Sequence, residues 1–139
     1  MSLKTIKTTL ENYLNANVTT TAIKWNNTAT LTLNSVVQTP EQVDALTMFI
    51  EPKVVPVSQD RELLSSAKPR KFEMFFQIDI YNKVGAGTGA IYSMIELLDA
   101  VFVEETVTGV VVSDSKALNS FVVGDWNITP VRYLAHTWA

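Results

Sequence analysis

Between Phe72 and Tyr81, apolar side chains at Phe72, Met74, Phe76, Ile78 and Ile80 alternate with Glu73, Phe75, Gln77, Asp79 and Tyr81. That period of two marks a half-buried β-strand. The pattern breaks at Gly85-Ala-Gly87-Thr-Gly89. From Ala90 the apolar positions become Ile91, Met94/Ile95, Leu98 and Val101/Phe102, which is helical spacing. The apolar stripe of this helix and the apolar face of the strand each need cover, so the helix is expected to lie back on the sheet that holds the strand. At the other end of the chain, Leu3, Ile6, Leu10 and Tyr13/Leu14 share one side of a helix over about 2–15, with Lys4, Lys7, Thr8 and Glu11 opposite and Ser2 as a candidate N-cap. Its polar face mixes charges, which favours packing on the sheet over membrane binding.

The remaining segments read as strands and connections. Ala22–Trp25 and Thr30–Leu33 form short strands around the turn-prone Asn26-Asn27, and Trp25 is a core or interface anchor. Thr39-Pro40 starts a connection, and 45–51 is a strand that ends at Pro52. Pro52 and Pro56 allow only an edge strand or an arm beyond that point, so 53–71 is expected to be a long exposed loop joining antiparallel neighbours at 45–51 and 72–81. Val107–Val112 reads as a strand, Ser113–Lys116 as a turn, Phe121–Val123 as a short strand, Gly124-Asp125 as a hairpin turn, and 126–138 as a last strand. In that strand Val131, Tyr133 and Ala135 alternate with Arg132, Leu134 and His136. The expected fold is one α+β domain over 1–139, with a mostly antiparallel or mixed sheet and two main helices on one face.

Composition narrows the chemistry. With 139 residues, 47% hydrophobic, 18% charged and a net charge of −3, the chain suits one globular core and lacks the basic excess that nucleic-acid binding calls for. It has no cysteine, which removes disulfides and thiolate sites. Lys4, Lys7 and Glu11 interrupt the opening stretch, so no secretory signal is expected there, and no stretch reaches membrane-spanning length. Asn17, Asn26 and Asn127 each start an Asn-x-Thr match, a chance occurrence in an Asn/Thr-rich chain.

Candidate sites each have a plainer explanation. The Gly85–Gly89 turn has the setting of a phosphate-binding loop but lacks the Lys-Ser/Thr of a P-loop and the spacing of a dinucleotide fingerprint. A conformational role with Thr88 as N-cap is favoured. His136, the sole histidine, fits a surface strand, and Glu96/Asp99 and Glu104/Glu105 fit a solvated helix face and its exit. The basic run Lys68, Arg70, Lys71 suits a protein–protein contact better than phosphate. No catalytic residue, cofactor or metal site is assigned, and an enzyme is the least favoured class.

The stretch Phe72–Tyr81, then Gly85–Gly89, then the helix Ile91–Phe102 resembles the signature region of the tail terminator (tail completion) proteins of long-tailed bacteriophages, the family of the lambda tail terminator. The order of the remaining elements, ending in Trp126-Asn-Ile-Thr-Pro-Val-Arg132, extends the resemblance over most of the chain. The resemblance implies a structural, non-enzymatic virion protein at the head-proximal end of the tail, assembled in the bacterial host cytoplasm. It implies a six-membered ring of copies that caps the tail tube, ends its growth and offers a surface to the head. The implied partners are the chain itself, the tail tube protein and a head-completion or connector protein, with DNA passing through the lumen without sequence-specific binding. A different ring protein of the phage neck is the near alternative, and an anion- or nucleotide-binding module at Gly85–Gly89 the distant one. A ring subunit needs two unlike surfaces. On the sequence these are the loop with Arg61, Lys68, Arg70 and Lys71, and the last strand with Trp126, Arg132 and Trp138.

Overall fold

The computed structural model describes residues 3–25, 28–59 and 71–138. At its centre is β5 (Lys71–Lys83), paired antiparallel along its length with β4 (Met48–Gln59) on one side and β9 (Trp126–Trp138) on the other. On the even-numbered side Met74, Phe76, Ile78 and Ile80 are fully buried, as the alternation requires. In the paired strand Val131, Tyr133 and Ala135 fall on the same face and are equally buried. Two helices cover this face. In α1 (Leu3–Asn17), Ile6, Leu10 and Leu14 line up at four-residue spacing against it, and in α3 (Gly89–Phe102), Ile91, Met94, Leu98 and Phe102 do so at three- and four-residue spacing. The aromatic rings of Phe76, Phe102 and Tyr133 meet at 5.3 Å between centroids, and Tyr13 of α1 packs edge-on against Phe102 at 5.6 Å.

The sheet continues outward from these three strands. Beyond β4 come β1 (Ala22–Lys24), parallel to it, then β2 (Leu31–Leu33) and β3 (Val36–Val37), both antiparallel. Beyond β9 come β7 (Val110–Ala117) and, in line with it on the same edge, the short β8 (Phe121–Val123). The two-residue β6 (Thr106–Val107) closes that side by pairing with β7. The sheet is mixed, mostly antiparallel, and belongs to an α+β fold with both main helices on one face.

Three expectations about local structure need correcting. The strand expected at 45–51 starts at Met48 and runs through Pro52 and Pro56 to Gln59, so 53–59 and Lys71 of the expected loop are strand, and the rest of that expectation, 60–70, lies outside the described residues. The prolines are tolerated because β1 pairs with β4 only at Phe49 and Ile50. Past that point no described strand pairs with the far edge, and a four-residue spacing lets both missing donors face it. Second, the strand and turn expected over 107–116 are a tight hairpin followed by a longer strand. Thr108 (φ 47°) and Gly109 (φ 84°) turn the chain between β6 and β7, and β7 runs through 113–117 with a bulge at Ser113. Third, Pro40–Asp44 forms a short helix, α2. Thr39 caps it in a capping box with Gln42, and Pro40 stands in its first turn.

Candidate functional site

The odd-numbered positions of β5 and the even-numbered positions of β9 share the sheet face opposite the helices. Of the interface residues predicted from sequence, Trp126, Arg132 and Trp138 lie on this face at six-residue intervals along β9, roughly 20 Å apart at about 3.3 Å per residue. Lys71 opens β5 directly across from Trp138. Arg61, Lys68 and Arg70 lie outside the described residues. Trp138 is 54% exposed. Trp126 sits at the opposite end, edge-on to Phe49 (4.9 Å) beside the stacked pair Phe49–Tyr81 (4.4 Å), and Lys83 Nζ lies 6.0 Å from its ring centre.

Between the two tryptophans a polar network crosses three strands, and the sequence reading missed it. Lys53 of β4 pairs with Asp79 of β5 at 3.1 Å, Gln77 Nε2 donates to the other Asp79 oxygen at 2.8 Å, and Arg132 Nε donates to Gln77 Oε1 at 2.7 Å. The Arg132 guanidinium also lies 5.3 Å from the Phe75 ring centre. Gln77 and Asp79 are 6% exposed although they stand on the face that carries neither main helix. The long stems of their cationic neighbours cover them. Alongside, Lys24 pairs with Glu51 at 3.6 Å, and the Tyr81 hydroxyl donates to Glu51 at 3.3 Å. Burial first, then the charges of Glu51 and Asp79 and the hydrogen bond to Glu51, push the Tyr81 phenol up to about 12. The only sequence signal for this network was the cross-strand pairing of opposite charges, and that needs the register to be known.

Other candidates are placed more plainly. Gly85 and Gly87 adopt φ of 90° and 84°, while a Cβ built on either meets nothing within 4 Å, so glycine serves the backbone turn there and not close approach. Thr88 occupies the N-cap position of α3 in an αR conformation without a side-chain capping bond, which corrects the cap expected of it. Asp99 is not simply solvated, since it accepts a 2.7 Å hydrogen bond from Tyr133, whose phenol is pushed up by burial and by that carboxylate. His136 is half-buried on the open face, across from Glu73. Trp25 packs against the core and donates from Nε1 to Thr32 at 3.0 Å. Among the described residues no three His, Asp or Glu converge as metal ligands, and no helix is long and apolar enough to cross a membrane. A groove of about 420 Å³ at the β9–β7 edge is lined by Phe75, Lys116, Leu118, Arg132 and Leu134 together with Asp114 and Ser115.

Neither a described protein family nor a curated protein matches this chain. A solved structure whose name states no function matches 100% of this chain and 96% of its own, with a TM-score of 0.67 at 17% identity. At that identity the likeness is one of fold.

Proposed function

We propose that this chain is a structural subunit of a phage tail, similar to the tail terminators. In this reading six copies form a ring on the head-proximal end of the tail tube, stop tube growth and present a surface to the head-completion protein, while DNA passes through the lumen without sequence readout. The reading rests on the resemblance in sequence. The observation that carries it is one-sidedness: both main helices lie on one face of the sheet, and the other face holds Trp126, Arg132 and Trp138 in a row, with the Lys53–Asp79 ion pair and the Arg132–Gln77 hydrogen bond crossing the strands between them. Large aromatic side chains and arginine on one broad surface are what protein interfaces favour. The resemblance orders a helix, a short polar strand, a strand with a long loop, an aromatic strand, a glycine turn, a second helix and a final strand. The elements α1, β1, β4, β5, Gly85–Gly89, α3 and β9 stand in that sequence, with β4 continuing to Gln59 where the loop was expected to begin.

The test is electron microscopy of the purified protein and of tail tubes grown with and without it. The expected result is annular particles, together with tubes capped at one end and halted at uniform length. Compact non-annular particles combined with unchanged tube growth would overturn the proposal.

A further inference from the structure

Two edge strands of the sheet are bare in the same way. At one end of the strand order, among the described residues, β3 pairs only with β2, and its Val36 and Val37 are 62% and 63% exposed. Toward the other end, where β6 flanks β7, the described residues pair β8 only with β9, and its Phe121, Val122 and Val123 are 49%, 64% and 56% exposed. Natural edge strands are usually guarded by lysine, proline or a bulge. Neither strand is guarded here: residues 25–39 and 117–124 contain no charged residue and no proline. The Val36 carbonyl accepts from Gln38 Nε2 at 3.0 Å; otherwise each of the two strands has a ladder partner on one side, with β-branched or aromatic side chains exposed, and the two lie on opposite sides of the central strands β4, β5 and β9.

We propose that copies of this chain join head to tail, with β3 of one pairing antiparallel with β8 of the next, so that the sheet runs on across the subunit boundary. This deepens the ring reading above and names the contact. A pairing of unlike edges leaves each copy with one of each to offer, as a closed ring requires. Pairing β8 with β8 would bury one edge and leave β3 bare in every dimer, whereas head-to-tail pairing buries both.

The charges beside the two strands select the antiparallel sense. Glu41 and Asp44 of α2 follow β3 within seven residues and are exposed. On the other edge, Lys116 precedes β8 by five residues and Asp125 follows it by two. Among the described residues Glu41, Asp44 and Lys116 have no ion-pair partner. Antiparallel pairing places the α2 acids at the Lys116 end of the joint, with Asp114 one step further out. Parallel pairing places them at the Asp125 end, acid against acid, with Lys83 two strands in over the Trp126 ring.

Cysteine cross-linking tests the contact cleanly because the chain has none of its own. Val37→Cys and Val122→Cys replace exposed side chains, and circular dichroism verifies that both fold. Oxidising a mixture of the two single variants should give a disulfide-linked dimer that neither gives alone, and the double variant should give a ladder of linked copies. Lys116→Glu should lower the mixed yield about tenfold, the ratio equivalent to 1.4 kcal/mol, and Glu41→Lys/Asp44→Lys should restore it. Dimers from Val122→Cys alone that match the mixture, or no mixed product at all, would overturn the inference. Annular particles without the mixed cross-link would retain the ring and remove this contact, while the mixed cross-link in open chains would retain the contact and remove the ring.

Discussion

Among the described residues Tyr133 is the largest fully buried side chain, and its hydroxyl ties the sheet to α3 through Asp99. Tyr133→Phe keeps the ring and removes the donor, leaving a half-buried carboxylate short of one partner; about 1–3 kcal/mol of stability should be lost in urea titration. Phe76→Ala acts differently, by opening a cavity beside Phe102. A loss of about 3–5 kcal/mol is expected, and an unchanged denaturant midpoint would show that the facing of β5 is wrong. Tyr81 sets a pH dependence. Its phenol holds its proton more tightly in the folded chain, at about 12 against 10.0 unfolded, so its contribution is complete below pH 10, is lost as pH rises through about 12, and should be missing from the alkaline profile of Tyr81→Phe. Tyr133 shifts in the same direction, so its share of the alkaline loss persists in Tyr81→Phe and the difference between the two profiles belongs to Tyr81.

At the scale of elements, what could be read in the sequence followed period. α1, α3, β5 and β9 are long and regular enough for spacing alone to place them, and the same spacing assigned Met74, Phe76, Ile78 and Ile80 to the core. The sequence places the end of β4 at Pro52, whereas a proline's cost in a strand depends on whether a neighbouring strand needs its donor. That depends on β1 pairing for only two residues, Ala22 with Phe49 and Ile23 with Ile50, across a long separation in the chain. The five residues of α2 are too few for periodicity, yet Thr39-Pro40-Glu41-Gln42 carries the capping-box signature, so this helix was legible from its start signal. Thr39→Ala should cost about 0.5–2 kcal/mol at the helix, seen as faster amide exchange at Val43 and Ala45, whose N–H groups bond to Thr39 and Glu41. The candidate site was half legible: Trp126, Arg132 and Trp138 share a face by parity alone, but the burial of Gln77 and Asp79 needs Lys53 and Arg132 brought across from other strands.

Over the whole molecule, the order of strands sets a gradient of stability. β5 is bonded on both edges along its length and β9 along most of its own, and their inner side chains form the core, so the amides of Met74–Ile80 and Val131–Ala135 open only when the whole domain unfolds. Toward the two ends of the sheet the strands shorten to two and three residues with exposed side chains, and little apolar burial opposes local opening there. Native-state hydrogen exchange of the free chain should therefore show the central amides exchanging at the global unfolding free energy and those of Val36–Val37 and Phe121–Val123 exchanging orders of magnitude faster. Assembly should change only the second group. If copies extend the sheet through β3 and β8, both edges gain protection together, because every contact covers one of each. Annular particles in which one edge slows and the other does not would place the subunit contact on a different surface, and the row from Trp126 to Trp138 would be the next to mutate.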